Sequence, residues 1–209
     1  SSTPQHLGPA YTPANLRPIS VVNTDNRLIA SLLNAILTPF ANKSCRPEQR
    51  GYLHNRHTSS NIIDMDQAIH RTLKTHPLGA LFLFDFSAAP PSLNHTYMWS
   101  ILKHIGVPQN FIQAAQLLYK GNIHKLKMGH GLYPSITLHS GVRQGCPMSP
   151  TLFVLRLDIF LDQFMRALPK TSTLRAFADD IGRAVHNRKT SLPIVATVFN
   201  KFAQYSSLH

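Results

Sequence analysis

The sequence predicts an α+β fold with helices packed on an antiparallel sheet, and three observations carry that prediction. Apolar residues recur at helical spacing in six stretches; two short β-prone runs flank Ala178-Asp179-Asp180; and a nearly continuous apolar run, Ala80 to Phe86, is bounded by turn signals. With 43% hydrophobic and 14% charged residues in 209, the chain has the apolar material for a core, which excludes wholesale disorder.

Residues 1 to 16 are proline-rich and aperiodic, an extended lead-in, and Arg17 to Val22 is β-prone. Leu28, Ile29, Leu32, Leu33, Ile36 and Leu37 predict a helix over 26–41 that Pro39 ends or kinks. After a polar, Arg-bearing stretch, Thr58 or Ser59 is placed to cap a helix running to about Lys74. Pro77-Leu78-Gly79 punctuates, and Ala80 to Phe86 (ALFLFDF) reads as a buried central strand. Helices are expected over 93–105 and, begun by Pro108, over 108–119; runs at 123–128 and 135–138 suggest a hairpin around Gly129-His130-Gly131. A strongly apolar helix over 150–168, entered through Ser149 and Pro150, precedes strands at 173–177 and 181–186 and a last helix over 191–206. Arg156, within that apolar helix, and Gly182-Arg183 look out of place at buried positions.

No apolar run approaches the roughly 18 to 20 residues that a bilayer helix needs, so no membrane partner is expected. Cys45 and Cys146 can form neither a disulfide framework nor a four-thiolate zinc site, and a reducing compartment is the expectation. Cys45, His54 and His57 fit no familiar zinc spacing.

The net charge of +12 arises because acids are scarce, 9 against 21 bases, with no dense basic run. Such a surface suits a polyanion, and carboxylates kept on it need a reason, since each repels phosphate. Beyond residue 77 the acids are Asp85, Asp158, Asp162, Asp179 and Asp180. Asp85 ends one strand and Asp179-Asp180 sit at a hairpin tip; if those strands are neighbours, three like charges share one rim. Oxygen-only ligands of that kind suit Mg²⁺ or Mn²⁺. Taken alone, Asp179-Asp180 is as readily an ordinary turn. Between these acids, Ser140 to Pro150 (SGVRQGCPMSP) forms an irregular loop in which Gly145 permits close backbone approach and Arg143 and Gln144 can meet a base edge or a phosphate.

The order FLFDFSAA, SGVRQGCPMSPTLF and AFADD resembles motifs A, B and C of reverse transcriptases, most closely those of non-LTR (LINE-type) retrotransposons. Leu16 to Ser20 (LRPIS) is similar to their first finger motif, and Gln49, Gly51, Tyr52, Arg56 and Asn61 follow the spacing of the second. The resemblance implies a right-hand polymerase: fingers over 1–78, palm over 79–97, fingers with connecting helices and a hairpin over 98–139, and palm over 140–209, without a thumb. It also implies an RNA-directed DNA polymerase acting on an RNA template, a DNA primer and dNTP, with Mg²⁺ or Mn²⁺ as cofactor. Asp85 and Asp179 are then metal ligands together with the Phe86 carbonyl, and Asp180 is the accompanying acid. Gln144 and Gly145 line the nucleotide and template pocket, and Arg17 contacts triphosphate or template. Nucleus or cytoplasm is the expected location for such an enzyme.

The chain departs from the pattern at Pro90, where motif A usually carries an aromatic residue that rejects a 2′-hydroxyl; the chain also ends about where motif D would begin. A truncated, degenerate copy that only binds nucleic acid is the rival expectation. Because proline offers a smaller wall and no N–H, weak discrimination of dNTP from rNTP is expected in primer extension, and strong dNTP preference would contradict it.

Overall fold

A computed structural model describes residues 21–86, 94–121, 125–128, 130–134 and 145–206. The helices are α1 (Thr24–Ser44), α2 (Thr58–Thr75), α3 (His95–His104), α4 (Gln109–Tyr119), α5 (Ser149–Ala167) and α6 (Arg188–Ser206). The strands are β1 (Ala80–Phe84), β2 (Lys125–Met128), β3 (Gly131–Pro134), β4 (Thr173–Phe177) and β5 (Asp180–Val185). One antiparallel sheet has the order β1-β5-β4, and β2 and β3 form a separate hairpin.

Strand alternation gives the main sheet two faces. Leu83, Gly182 and Arg175 lie in register on the face covered by α2. The opposite face carries Phe84, Ile181 and Ala176, and there Phe84 meets Phe164 of α5 and Phe199 of α6. α5 is the central helix of the core: eleven of its residues are buried, and α1, α3 and α6 pack around it.

Several local expectations are corrected. Pro39 lies inside α1, which runs on to Ser44. Proline removes one N–H, but Leu37 and Ala41 on either side of it are fully buried, and that packing outweighs the lost bond. β1 is an edge strand and half-buried, whereas β5 is central. An apolar run reports burial but not which strands flank it. The second strand of the β2–β3 hairpin is 131–134; the expected 135–138 lies outside the described residues, as does most of the β-prone run at 17–22. Neither Thr58 nor Ser59 caps α2, since His57 holds the N-cap position, and Met148 rather than Ser149 precedes α5. α6 starts earlier than expected because the Asn187 side chain accepts from the Lys189 and Thr190 N–H groups at 3.0 and 3.4 Å.

The two misplaced-looking arginines are fully buried. Arg183 donates to the Phe164 carbonyl and to Ser172 Oγ (2.6 Å), and its guanidinium lies 4.8 Å from the Phe164 ring centre. Arg156 lies over Tyr97 at 5.5 Å. Burial pulls both guanidinium pKa values down to about 10, so both remain charged at neutral pH. Arg183 thus ties the central strand to the end of α5 by donors that no aliphatic side chain can replace. Arg183→Ala is expected to destabilise the protein by roughly 2–4 kcal/mol, and Arg183→Met by less, because the volume is restored but the carbonyl is not. Thermal or denaturant unfolding of the two variants measures this.

Candidate active site

Asp85 is placed by the residues on either side of it. The rings of Phe84 and Phe86 join a cluster with Phe160 and Phe164 of α5 and Phe199 and Phe202 of α6, with centroid separations of 4.6 to 6.0 Å. With both neighbours turned inward, an extended chain directs Asp85 to the other face, and it is exposed there. Phe86 is buried, so any part it takes in the site falls to its backbone.

Strand register brings the remaining acids to Asp85. Phe84 pairs with Ile181 across the β1–β5 ladder, so the next step along β1 sets Asp85 beside Asp180. Phe177 pairs with Asp180 across β4–β5, leaving Ala178 and Asp179 as a two-residue turn. Asp180 feels both neighbours: its carboxyl lies above the ordinary value, first through desolvation, then through the negative charges of Asp179 and Asp85. Among the described residues no ion pair neutralises these three acids. Their donor set, oxygen alone with surplus negative charge, fits a hard divalent cation. Among the described residues, however, no three His, Cys, Asp or Glu side chains are close enough to hold an ion by themselves.

Beside the acids a groove of about 390 Å³ runs between α2 and the sheet. Asp85 and Asp180 stand on its rim, Asn61 and Met65 of α2 line one wall, and Leu83 and Gly182 form the floor. Gly182 carries the floor without a side chain; a Cβ there would meet Met65 at 3.4 Å. Its odd place in the sequence thus has a use that no helical or strand periodicity records.

A loop that sequence reasoning marked only by spacing holds this end of the sheet. Arg50 N–H donates to the Ala176 carbonyl (2.8 Å), Ala176 N–H donates to Glu48 (2.9 Å), and Asn61 Nδ2 donates to the same Ala176 carbonyl (2.9 Å). Arg56 gathers the loop by donating to the carbonyls of Asn42, Cys45, Arg46 and Gln49. Asp158 of α5 accepts from Arg46 N–H (2.9 Å), and Asp162 pairs with the Arg46 side chain. Asp64 accepts from Arg175 and Arg50, both at 2.7 Å, and those bonds hold its carboxyl below the usual range. Burial, then the charge of Asp158, pushes the Cys45 thiol up to about 12.

Gly145 is exposed at the entry to α5 with φ +91, a conformation that favours glycine. Arg17, Pro90, Arg143 and Gln144 lie outside the described residues.

The family model described as reverse transcriptase (RNA-dependent DNA polymerase) matches residues 7–208. The chain belongs to the reverse transcriptase family. The retrovirus-related Pol polyprotein from the type-2 retrotransposable element R2DM of Drosophila melanogaster is 30% identical over an alignment of 183 residues that covers 82% of this chain and 17% of that polyprotein. The corresponding polyprotein of the type-1 retrotransposable element R2 of Popillia japonica is 25% identical over 93% of this chain and 28% of its own length. This reverse transcriptase domain is therefore of the LINE-type retroelement kind, and it spans less than a third of those relatives. Among solved structures, apo telomerase from Candida tropicalis resembles it with a TM-score of 0.59 at 13% identity, over 87% of this chain and 34% of that one. The Candida tropicalis telomerase in complex with a fragment of telomeric RNA gives 0.59 at 14% identity, over 86% and 31%. That likeness places the chain in a polymerase-like fold.

The raised Asp180 carboxyl has a sign that can be tested. Its folded value lies above the unfolded one, so the native state binds the proton more tightly, and stability falls as pH rises from about the ordinary value of 3.8. In chelator at pH 7, Asp180→Asn is expected to raise the thermal midpoint, and the gain should disappear as pH falls below about 3.8; a midpoint difference independent of pH would contradict it.

Proposed function

We propose that this reverse transcriptase domain transfers a deoxynucleoside monophosphate from dNTP to the 3′-hydroxyl of a DNA primer on an RNA template. Mg²⁺ or Mn²⁺ is the cofactor, and Asp85 and Asp179 are its protein ligands. The observation that carries this reading is the β1–β5 pairing, which gathers Asp85, Asp179 and Asp180 at one edge beside an open groove. Family membership supports RNA-directed DNA polymerase chemistry in general.

Divalent ions in such a site activate a hydroxyl nucleophile and stabilise a leaving pyrophosphate. The chain's part is to supply oxygen ligands in a fixed place. Asp85 is aimed by its two buried phenylalanine neighbours, and Asp179 is held in a two-residue turn. The Phe86 carbonyl adds a backbone ligand, and Asp180 adds negative charge that draws cations to the rim. Water and substrate phosphates would supply the remaining oxygen ligands, as Mg²⁺ sites with few protein ligands require. Gln144 and Gly145 bound the nucleotide and template pocket, Arg17 contacts triphosphate or template, and Arg143 meets a base edge or a phosphate. The net charge of +12 attracts the template–primer and makes its binding salt-dependent. In the same reading, residues 1–78 and 98–139 are fingers, and 79–97 and 140–209 are palm.

The test is Mg²⁺-dependent extension of a DNA primer on an RNA template. Wild type should extend, and Asp85→Asn and Asp179→Asn should each lose activity on the order of a hundredfold or more while still binding template–primer. Binding without extension by wild type would overturn the reading in favour of a remnant that only holds nucleic acid.

A further inference from the structure

The Ala178-Asp179 turn is strained. Ala178 has φ +53, and a two-residue hairpin turn with a positive φ at its first central position ordinarily uses glycine there. Ala178 is also buried, so its peptide groups need partners inside the protein. Those partners come from one side chain. Gln49 Oε1 accepts from Ala178 N–H at 2.9 Å and from Gly51 N–H at 2.8 Å, and Gln49 Nε2 donates to the Ala178 carbonyl at 3.3 Å. The amide thus brackets Ala178, bonding its N–H and its carbonyl from a single rigid plane. Gln49 is itself fully buried, so water does not compete for these bonds.

The surroundings are built to hold that amide still. Gly51 approaches so closely that a Cβ would lie 2.1 Å from the Ala178 nitrogen. Arg56 fixes the Gln49 carbonyl (2.6 Å), and the Glu48 and Arg50 backbone pairs with Ala176. The non-glycine residues with positive φ among those described are Tyr52, Asn55 and Ala178, all in this loop or in the turn it grips. Strain collected where two segments dock, and relieved nowhere else, marks a position that the surroundings enforce.

We propose that Gln49 is a positioning residue of the catalytic turn: its side-chain amide holds Ala178 in the left-handed conformation and thereby aims Asp179 into the site. The claim that the turn is catalytic rests on the proposed function; the clamp itself does not. The Gln49 side chain bonds to Ala178 and Gly51 and to neither Asp85 nor Asp179, so its loss should disturb metal placement and the chemical step more than nucleotide affinity.

The experiment compares wild type with Gln49→Met, which keeps the length but has no amide, and Gln49→Glu, which keeps the acceptor. Hydrogen exchange, read without turnover, should find the Ala178 amide protected in wild type and Gln49→Glu and exposed in Gln49→Met. Titration with Mn²⁺ alone, followed by electron paramagnetic resonance, should give weaker binding to Gln49→Met. In single-turnover primer extension, Gln49→Met should lower the rate about tenfold or more, with the KM for dNTP changed far less and part of the rate regained at high Mg²⁺. Introducing Ala178→Gly should shrink the Gln49→Met penalty, because glycine adopts the positive φ unaided. Unchanged exchange at Ala178, or penalties at 49 and 178 that simply multiply, would overturn the clamp. Should Gln49→Met not fold, the same four readouts on Gln49→Glu and on Ala178→Gly in the wild-type background decide it: the acceptor-retaining variant must keep amide protection, and losing it overturns the proposal. Wild type that exchanges and binds Mn²⁺ as expected yet fails to extend primer would defeat the polymerase reading and leave the clamp standing.

Discussion

Antiparallel pairing of β1 with β5 places carboxylates of like sign at one end of a three-stranded sheet, and much of the molecule is organised around sustaining that placement. At about 4 Å, two like charges repel by about 1 kcal/mol in water and by several times that in drier surroundings. The raised Asp180 carboxyl records the cost, because desolvation and two neighbouring charges all favour its neutral form. The opposing force is apolar. Phe84 and Phe86 anchor the end of β1 into rings from α5 and α6, so Asp85 cannot swing away without pulling buried aromatic surface into water. The edge position of β1 leaves its acidic end open to solvent, which a strand covered on both sides would not allow.

The second support comes from the loop between α1 and α2. It adds no regular strand, yet it pairs with β4, receives Asp158 and Asp162 from α5, and is tied internally by Arg56. The hairpin turn is therefore gripped from the α1–α2 loop while the strands leading into it are packed from below by α5 and α6. Arg183 extends this linkage by joining β5 to the last turn of α5. Such a frame is stiff because hydrogen bonds and ion pairs tie the loop to β4, to α5 and to itself, so that moving one segment would break bonds in another.

The scarcity of acids acquires a structural meaning. Asp64, Asp158 and Asp162 are committed to arginines or backbone N–H groups that hold the α1–α2 loop, while Asp85, Asp179 and Asp180 stand together at the rim. Six of the nine acids thus either tie the frame or stand at the acidic end of the sheet.

Much of this was legible from the sequence, because local patterns carry it. Helical spacing located all six helices within a few residues, and the apolar run ending in Asp85 marked a strand. The family resemblance at FLFDFSAA, SGVRQGCPMSPTLF and AFADD drew attention to the same three acids before any geometry was known. Periodicity could not say that β5 rather than β1 is central, since strand order depends on which edges meet across 95 or more residues of chain. Nor could it say that Arg183 is a buried tether or that Gly182 is the floor of a groove. Gln49 and Gly51 stood out by spacing alone; the Gln49 bonds to Ala178, 129 positions away, and the close approach of Gly51 to it exist only once the loop has docked. The sequence by itself determined the elements and the chemistry of the acids, because periodicity and side-chain type are local properties. Only the tertiary structure decided how the acids meet and what holds their turn, because register, burial and hydrogen-bond partners belong to segments far apart in the chain.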